Sequence, residues 1–322
     1  MRRIPIIQAA YFGSVLGIAG LGGTWRAAHA ALQMPALVGE LLMAAAAIVW
    51  AVLITLYALK WVVARNEAMA EAQHPIQCCF IGLVGVSTIL IGLGALPYSR
   101  RLAEGLCGLG TLYTLAFAVW RQGSLWRGGR DAGTNTPVLY LPAVAGSFVI
   151  SIGAAALGER EWAELTFGAG LLSWLAIESV LLHRLYNGPE MPPAMRPSLG
   201  IQLAPPAVGA LAYLGTTGGM PDLMAKMLLG YGLLQALLLM RLLSWIMQQP
   251  FVPAYWAFTF GATALASAAL RMSEHGDTGV VGLLAPWLFL AANIVVALVA
   301  FGTLRLFGAT EPQRGVAEVR AS

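Results

Sequence analysis

Along the chain, long apolar stretches that are free of charge alternate with apolar stretches that carry a few charged residues. Five of the charge-free stretches open at or just after a proline, with an aromatic residue five to seven positions on: Pro5 with Phe12, Pro75 with Phe80, Pro142 with Phe148, Pro206 with Tyr213, and Pro253 with Phe258 and Phe260. A helix needs about 20 apolar residues to cross a hydrocarbon core. Breaks at glycine, proline and charge clusters then predict ten helices, over about 4–25, 37–63, 76–96, 101–125, 141–158, 161–186, 198–217, 222–248, 253–272 and 280–306. The joints Gly158–Arg160 and Gly218–Pro221 leave room only for tight turns, so consecutive helices pair as hairpins. The expected fold is all-α and membrane-spanning, with five hairpins in a pseudo-five-fold arrangement. One helical domain is expected over 1–307, followed by a polar, disordered tail over 308–322.

Composition agrees with a bilayer as solvent. The 322 residues are 58% hydrophobic and 11% charged, too little charge to cover a water-soluble surface of that size. The net charge of +4 does not point to nucleic acid, because only Lys60 and Lys226 are lysines and the arginines are scattered at segment ends. With both termini on one side, that side holds thirteen Lys and Arg against six on the other, which predicts cytoplasmic termini. Arg2 and Arg3 ahead of an apolar run resemble a signal peptide, but the run continues to Thr24 and Arg26 precedes the small-residue site, so a retained helix is expected. Cys78, Cys79 and Cys107 form no C-x-x-C and read as small packing residues.

The placement of charge separates mechanisms. Between their ends the odd-numbered helices have only apolar and small or neutral polar residues, with Gly13, Gly17, Gly20, Gly22 and Gly23 in the first. Small residues allow close helix approach. Five such helices around an axis would make a narrow pathway without titratable groups, which favours a channel over a proton-coupled carrier. The deepest charges are on even helices. At 1.5 Å per residue, Glu178 is roughly 25 Å from Glu161 and Arg241 roughly 28 Å from Asp222, so the two lie at similar depth and are expected to form a buried structural pair. No phosphate-binding or metal-ligand motif appears, so neither catalysis nor any cofactor is expected.

Five motifs carry a resemblance over essentially the whole chain: PIIQAAYFGSVLG (Pro5–Gly17), YLPAVA (Tyr140–Ala145), SLGIQLAP (Ser198–Pro205), AKMLLGYGLLQ (Ala225–Gln235) and WAFTFG (Trp256–Gly261). In these the chain resembles the family of bacterial tellurite-resistance TehA proteins, plant slow anion channels and malate or C4-dicarboxylate transporters. The resemblance implies an inner-membrane anion channel, a homotrimer in which each subunit has its own pore of five inner helices. It implies a plug at Phe260 faced by Gly13, with Phe12, Phe80, Phe148, Tyr213 and Phe258 as further candidate liners. The alternatives it implies are a C4-dicarboxylate carrier and a tellurite-efflux protein. The chain departs from the family pattern at Ser147, where asparagine is common, and at Ser179, where proline commonly follows the glutamate.

Overall fold

The computed structural model describes residues 6–309, and among them every regular element is helical. Eleven α-helices follow in order: α1 (Phe12–Leu32), α2 (Ala36–Val63), α3 (Arg65–Gln73), α4 (Leu83–Ala95), α5 (Arg100–Leu125), α6 (Gly146–Leu157), α7 (Arg160–Asn187), α8 (Ala204–Thr216), α9 (Leu223–Ile246), α10 (Ala257–Glu274) and α11 (Val280–Ala309). Seven helical stretches are long and apolar enough to cross a bilayer, as befits a multi-pass membrane protein. The expected tail lies, from residue 310 onward, outside the described residues.

The number of helices departs from the expected ten because of α3. Its sequence, RNEAMAEAQ, is too polar and short to resemble a span, and it reads as a loop in the sequence. Its buried face is nonetheless tied down: the Glu71 carboxylate accepts from Lys60 Nζ at 2.7 Å, from the Tyr57 hydroxyl at 3.3 Å and from the Ala9 backbone N–H at 2.8 Å. α1 also runs past its expected end at residue 25. Arg26 need not stop the helix, because its guanidinium meets Glu40 of α2 at 2.7 Å and the Leu93 and Gly94 carbonyls at the end of α4.

Five segments start with a tighter or looser winding before the α-helix sets in. Turns of 3-10 helix over Ala9–Tyr11, Gln77–Gly82, Pro193–Leu203 and Pro253–Trp256, and a π turn over Leu141–Ala145, lead into α1, α4, α8, α10 and α6. Prolines at 142, 193, 197 and 253 fall inside these leads. A proline has no N–H and crowds the carbonyl four residues back, so regular i to i−4 bonding is interrupted there.

These five segments are the buried ones. Within their 18-residue apolar windows, Gln77–Ala95 and Pro137–Leu157 are 83% and 78% buried, against 11% for Ala36–Val63 and 17% for Arg160–Asn187. α1 packs on α4, α4 on α6, α6 on α8, α8 on α10, and α10 back on α1, a closed circuit of contacts. α2, α5, α7, α9 and α11 each pack on the inner helix next to them in sequence. Gly158 ends α6 at φ +88°, a left-handed conformation that favours glycine, and α7 restarts two residues later.

Candidate functional site

Residues from all five inner segments converge on one cavity of about 50 Å³. Ala10, Gly13 and Leu16 line it from the first segment, Phe80 and Leu83 from the second, Leu141 and Ala145 from the third. Ile201 and Ala204 come from the fourth, and Pro253, Ala254, Trp256, Ala257 and Phe260 from the fifth. The lining contains no Asp, Glu, Lys, Arg or His. An ion entering such a space meets no fixed charge to bind it, and the cost of shedding water becomes the barrier.

The fifth segment is set against the first by glycine. A Cβ on Gly17 would fall 2.3 Å from Thr259 Oγ1, and one on Gly20 would fall 2.4 Å from Thr263 Oγ1 and 3.3 Å from Phe260 Cδ2. Only a residue without a side chain permits this approach. The Thr24 hydroxyl closes the same seam, 3.0 Å from the Thr263 carbonyl and 2.9 Å from Ser267 Oγ. Trp256 is held from outside, where its indole N–H donates to Thr303 Oγ1 of α11 at 3.0 Å.

Of the residues singled out in the sequence, Phe260, Gly13 and Phe80 are brought together around this cavity. Gly13 shares the cavity wall with Phe260, but a Cβ added there would meet Trp256 Cβ at 3.3 Å and no atom of Phe260 within 4 Å. A Cβ on Gly20 would touch the ring, and Gly20 is one of the five glycines of the first helix that the sequence does not distinguish from one another.

The remaining candidates do not line this cavity. Phe12 is fully buried edge-on against Tyr57 of α2, with ring centroids 5.8 Å apart. Phe148 fills a notch between Gly170 and Gly209, where added Cβ atoms would come within 2.7 and 3.1 Å of its ring. Tyr213 donates its hydroxyl to Asp222 Oδ2 at 2.5 Å across the turn between α8 and α9. Phe258 lies along Tyr255, with centroids 6.2 Å apart, and borders an apolar groove between α9, α10 and α11.

Glu178 and Arg241 do not pair, which corrects the expectation from depth alone. The Glu178 carboxylate accepts from the hydroxyls of Tyr140 and of Tyr231 (2.8 Å) and from the indole N–H of Trp174 (2.9 Å). Three neutral donors on the inner third segment, α9 and α7 satisfy it, and no counter-ion is needed. Arg241 is exposed on α9 and forms no ion pair among the described residues.

With five buried helices around a charge-free cavity, the fold is that of a helical membrane protein with an apolar centre. Residues 7–304 match the SLAC1 family, the voltage-dependent anion channels, and the protein belongs to that family of anion channels and transporters. Among curated relatives, the chain is 34% identical to a tellurite resistance protein TehA homolog of Haemophilus influenzae, over 92% of this chain and 90% of that one. It is 23% identical to the S-type anion channel SLAH3 of Arabidopsis thaliana over 91% of this chain, which spans 47% of the longer plant protein. An uncharacterized transporter of Methanocaldococcus jannaschii is 23% identical over 63% of this chain and 65% of its own length.

Proposed function

We propose that the protein is a channel for small anions in the plasma (inner) membrane, with a central pore along the axis of the five inner segments and Phe260 as its plug. The observation that carries this reading is the charge-free cavity to which all five inner segments contribute, with the Phe260 ring in its wall. A ring across so narrow a passage blocks it by filling the lumen and by excluding the water that an anion keeps around itself. The closed circuit of contacts supports a pseudo-five-fold arrangement of hairpins. The thirteen-to-six bias in basic residues supports cytoplasmic termini, and the family resemblance supports a homotrimer of separately conducting subunits.

Planar-bilayer recording of purified protein tests the reading. Phe260→Ala is expected to raise anion conductance about tenfold or more, equivalent to lowering the barrier by about 1.4 kcal/mol or more. Anion-over-cation preference and elution volume should stay unchanged. Wild-type conductance in correctly assembled Phe260→Ala would leave the ring a packing residue only. A second reading, a part in tellurite resistance, follows from the name of the Haemophilus relative. It requires that a deletion strain complemented with this chain survive more tellurite than one carrying the empty vector.

A further inference from the structure

At the end of the inner segments opposite the Phe260 cavity lies a second opening, of about 290 Å³, into which Arg271 projects. Leu93 of α4, Ile152 of α6, and Leu211 and Gly215 of α8 line it together with Arg271 and His275. Arg271 is eleven residues beyond Phe260 on the same helical segment, which at 1.5 Å per residue places it about 16 Å further along the axis.

The basic residues at this end are treated differently from one another. Arg26 is paired with Glu40, Arg100 with Glu104, Arg160 with Glu164, and Lys226 with Asp277. Arg101 has no ion pair but does not line the opening. Among the described residues, Arg271 is the basic residue that lines the opening without an ion pair, and the Glu274 carboxylate three residues on acts on it only through its field. Near it, the Arg271 main-chain carbonyl meets the His275 ring, with Nδ1 2.8 Å away. That ring is held over Gly219, where a Cβ would collide with Nε2 at 2.4 Å. The positive charge of Arg271 is thus left without an ion pair among the described residues, in a concave mouth whose other polar side chain is His275.

An unpaired guanidinium in a recess with low-dielectric walls focuses field towards the recess and concentrates anions there. We infer that Arg271 forms an anion-collecting site at this mouth, a site for small monovalent anions that feeds the passage behind it. The site rests on the proposed pore for its effect on current, but the binding of an anion to Arg271 does not.

Currents are to be compared in Phe260→Ala and in Phe260→Ala/Arg271→Gln, from 20 mM to 1 M salt. Neutralisation should lower low-salt anion conductance about two- to fivefold, the scale of one unit charge acting at about 4 Å in water. The difference should fade at 1 M, where screening shrinks to about 3 Å. Arg271→Lys should keep the low-salt conductance, which a purely structural role of the guanidinium does not explain. Equal low-salt currents with and without Arg271 overturn the collecting role. If Phe260→Ala passes no current, the pore reading falls, and bromide-soaked crystals decide the site alone. An anomalous peak within about 4 Å of the guanidinium in wild type and absent in Arg271→Gln upholds it, and its absence from wild type overturns it.

Discussion

Glu178 shows how a charge in the membrane can be satisfied without another charge. Hydrogen bonds to an ionised group contribute about 1.5–3 kcal/mol each, and this carboxylate accepts from Tyr140, Trp174 and Tyr231. Glu178→Gln removes the charge and forces an amide N–H₂ against donors, so it should lower stability by about 1.5–3 kcal/mol, read as an earlier thermal transition in detergent. Arg241→Gln, on an exposed face, should stay within about 0.5 kcal/mol of wild type, and the double variant should be additive. Non-additivity by more than about 1 kcal/mol would show that the two residues are coupled after all. Helix spacing gives depth, and at that level Glu178 and Arg241 match. It does not give the direction each residue faces around the bundle, and neutral partners such as Tyr140 and Tyr231 leave no trace in a balance of charges. The same limit applies to the aromatic candidates. The WAFTFG motif marks Phe260, whereas Phe12 and Phe148 share its setting after a proline and turn into packing contacts.

At the scale of elements, α3 acts as a strut between an outer helix and the entry to an inner one. Lys60 and Glu71 are only 4% and 7% exposed, and between them they hold the Ala9 N–H and the Ile7 carbonyl. Removing one partner of a buried pair costs about 3–5 kcal/mol. Lys60→Met is expected to lose that much, while Lys60→Met/Glu71→Gln recovers part of it because the amide oxygen can still accept from Ala9; denaturation of all three proteins in detergent measures the coupling. At the α6–α7 turn, Gly158→Ala places a side chain at φ +88° and should cost about 1–2 kcal/mol by the same measurement. The turns at Gly158 and Gly218 were legible because glycine and charge interrupt apolar runs there. α3 was not: its nine residues, five of them polar, lie between two spans, and the Glu71 anchor that ties them down is a tertiary contact.

Over the whole molecule, charge is excluded from the inner cavity and distributed to the outer helices and the ends. The proposed passage would have no titratable group at this cavity to couple transport to protons. In bilayers, the reversal potential of Phe260→Ala should follow the anion gradient alone, and a one-unit pH gradient should not move it by more than a few millivolts; a shift towards the proton equilibrium potential would favour a carrier. The alternation of inner and outer helices was readable because lipid tolerates a charge near a helix end and a packed centre does not. A ring of five was expected from the sequence, but the contacts that close it were not readable, since they depend on which glycines meet which threonines. That closure joins positions far apart in the chain: Thr24 reaches Ser267 across 243 residues. During synthesis, at roughly 5–20 residues per second, the first helix therefore enters the membrane well before its partner exists. Its glycine face must wait in lipid, or in the care of the insertion machinery, until α10 arrives. Assembly of this protein is gated by its own translation.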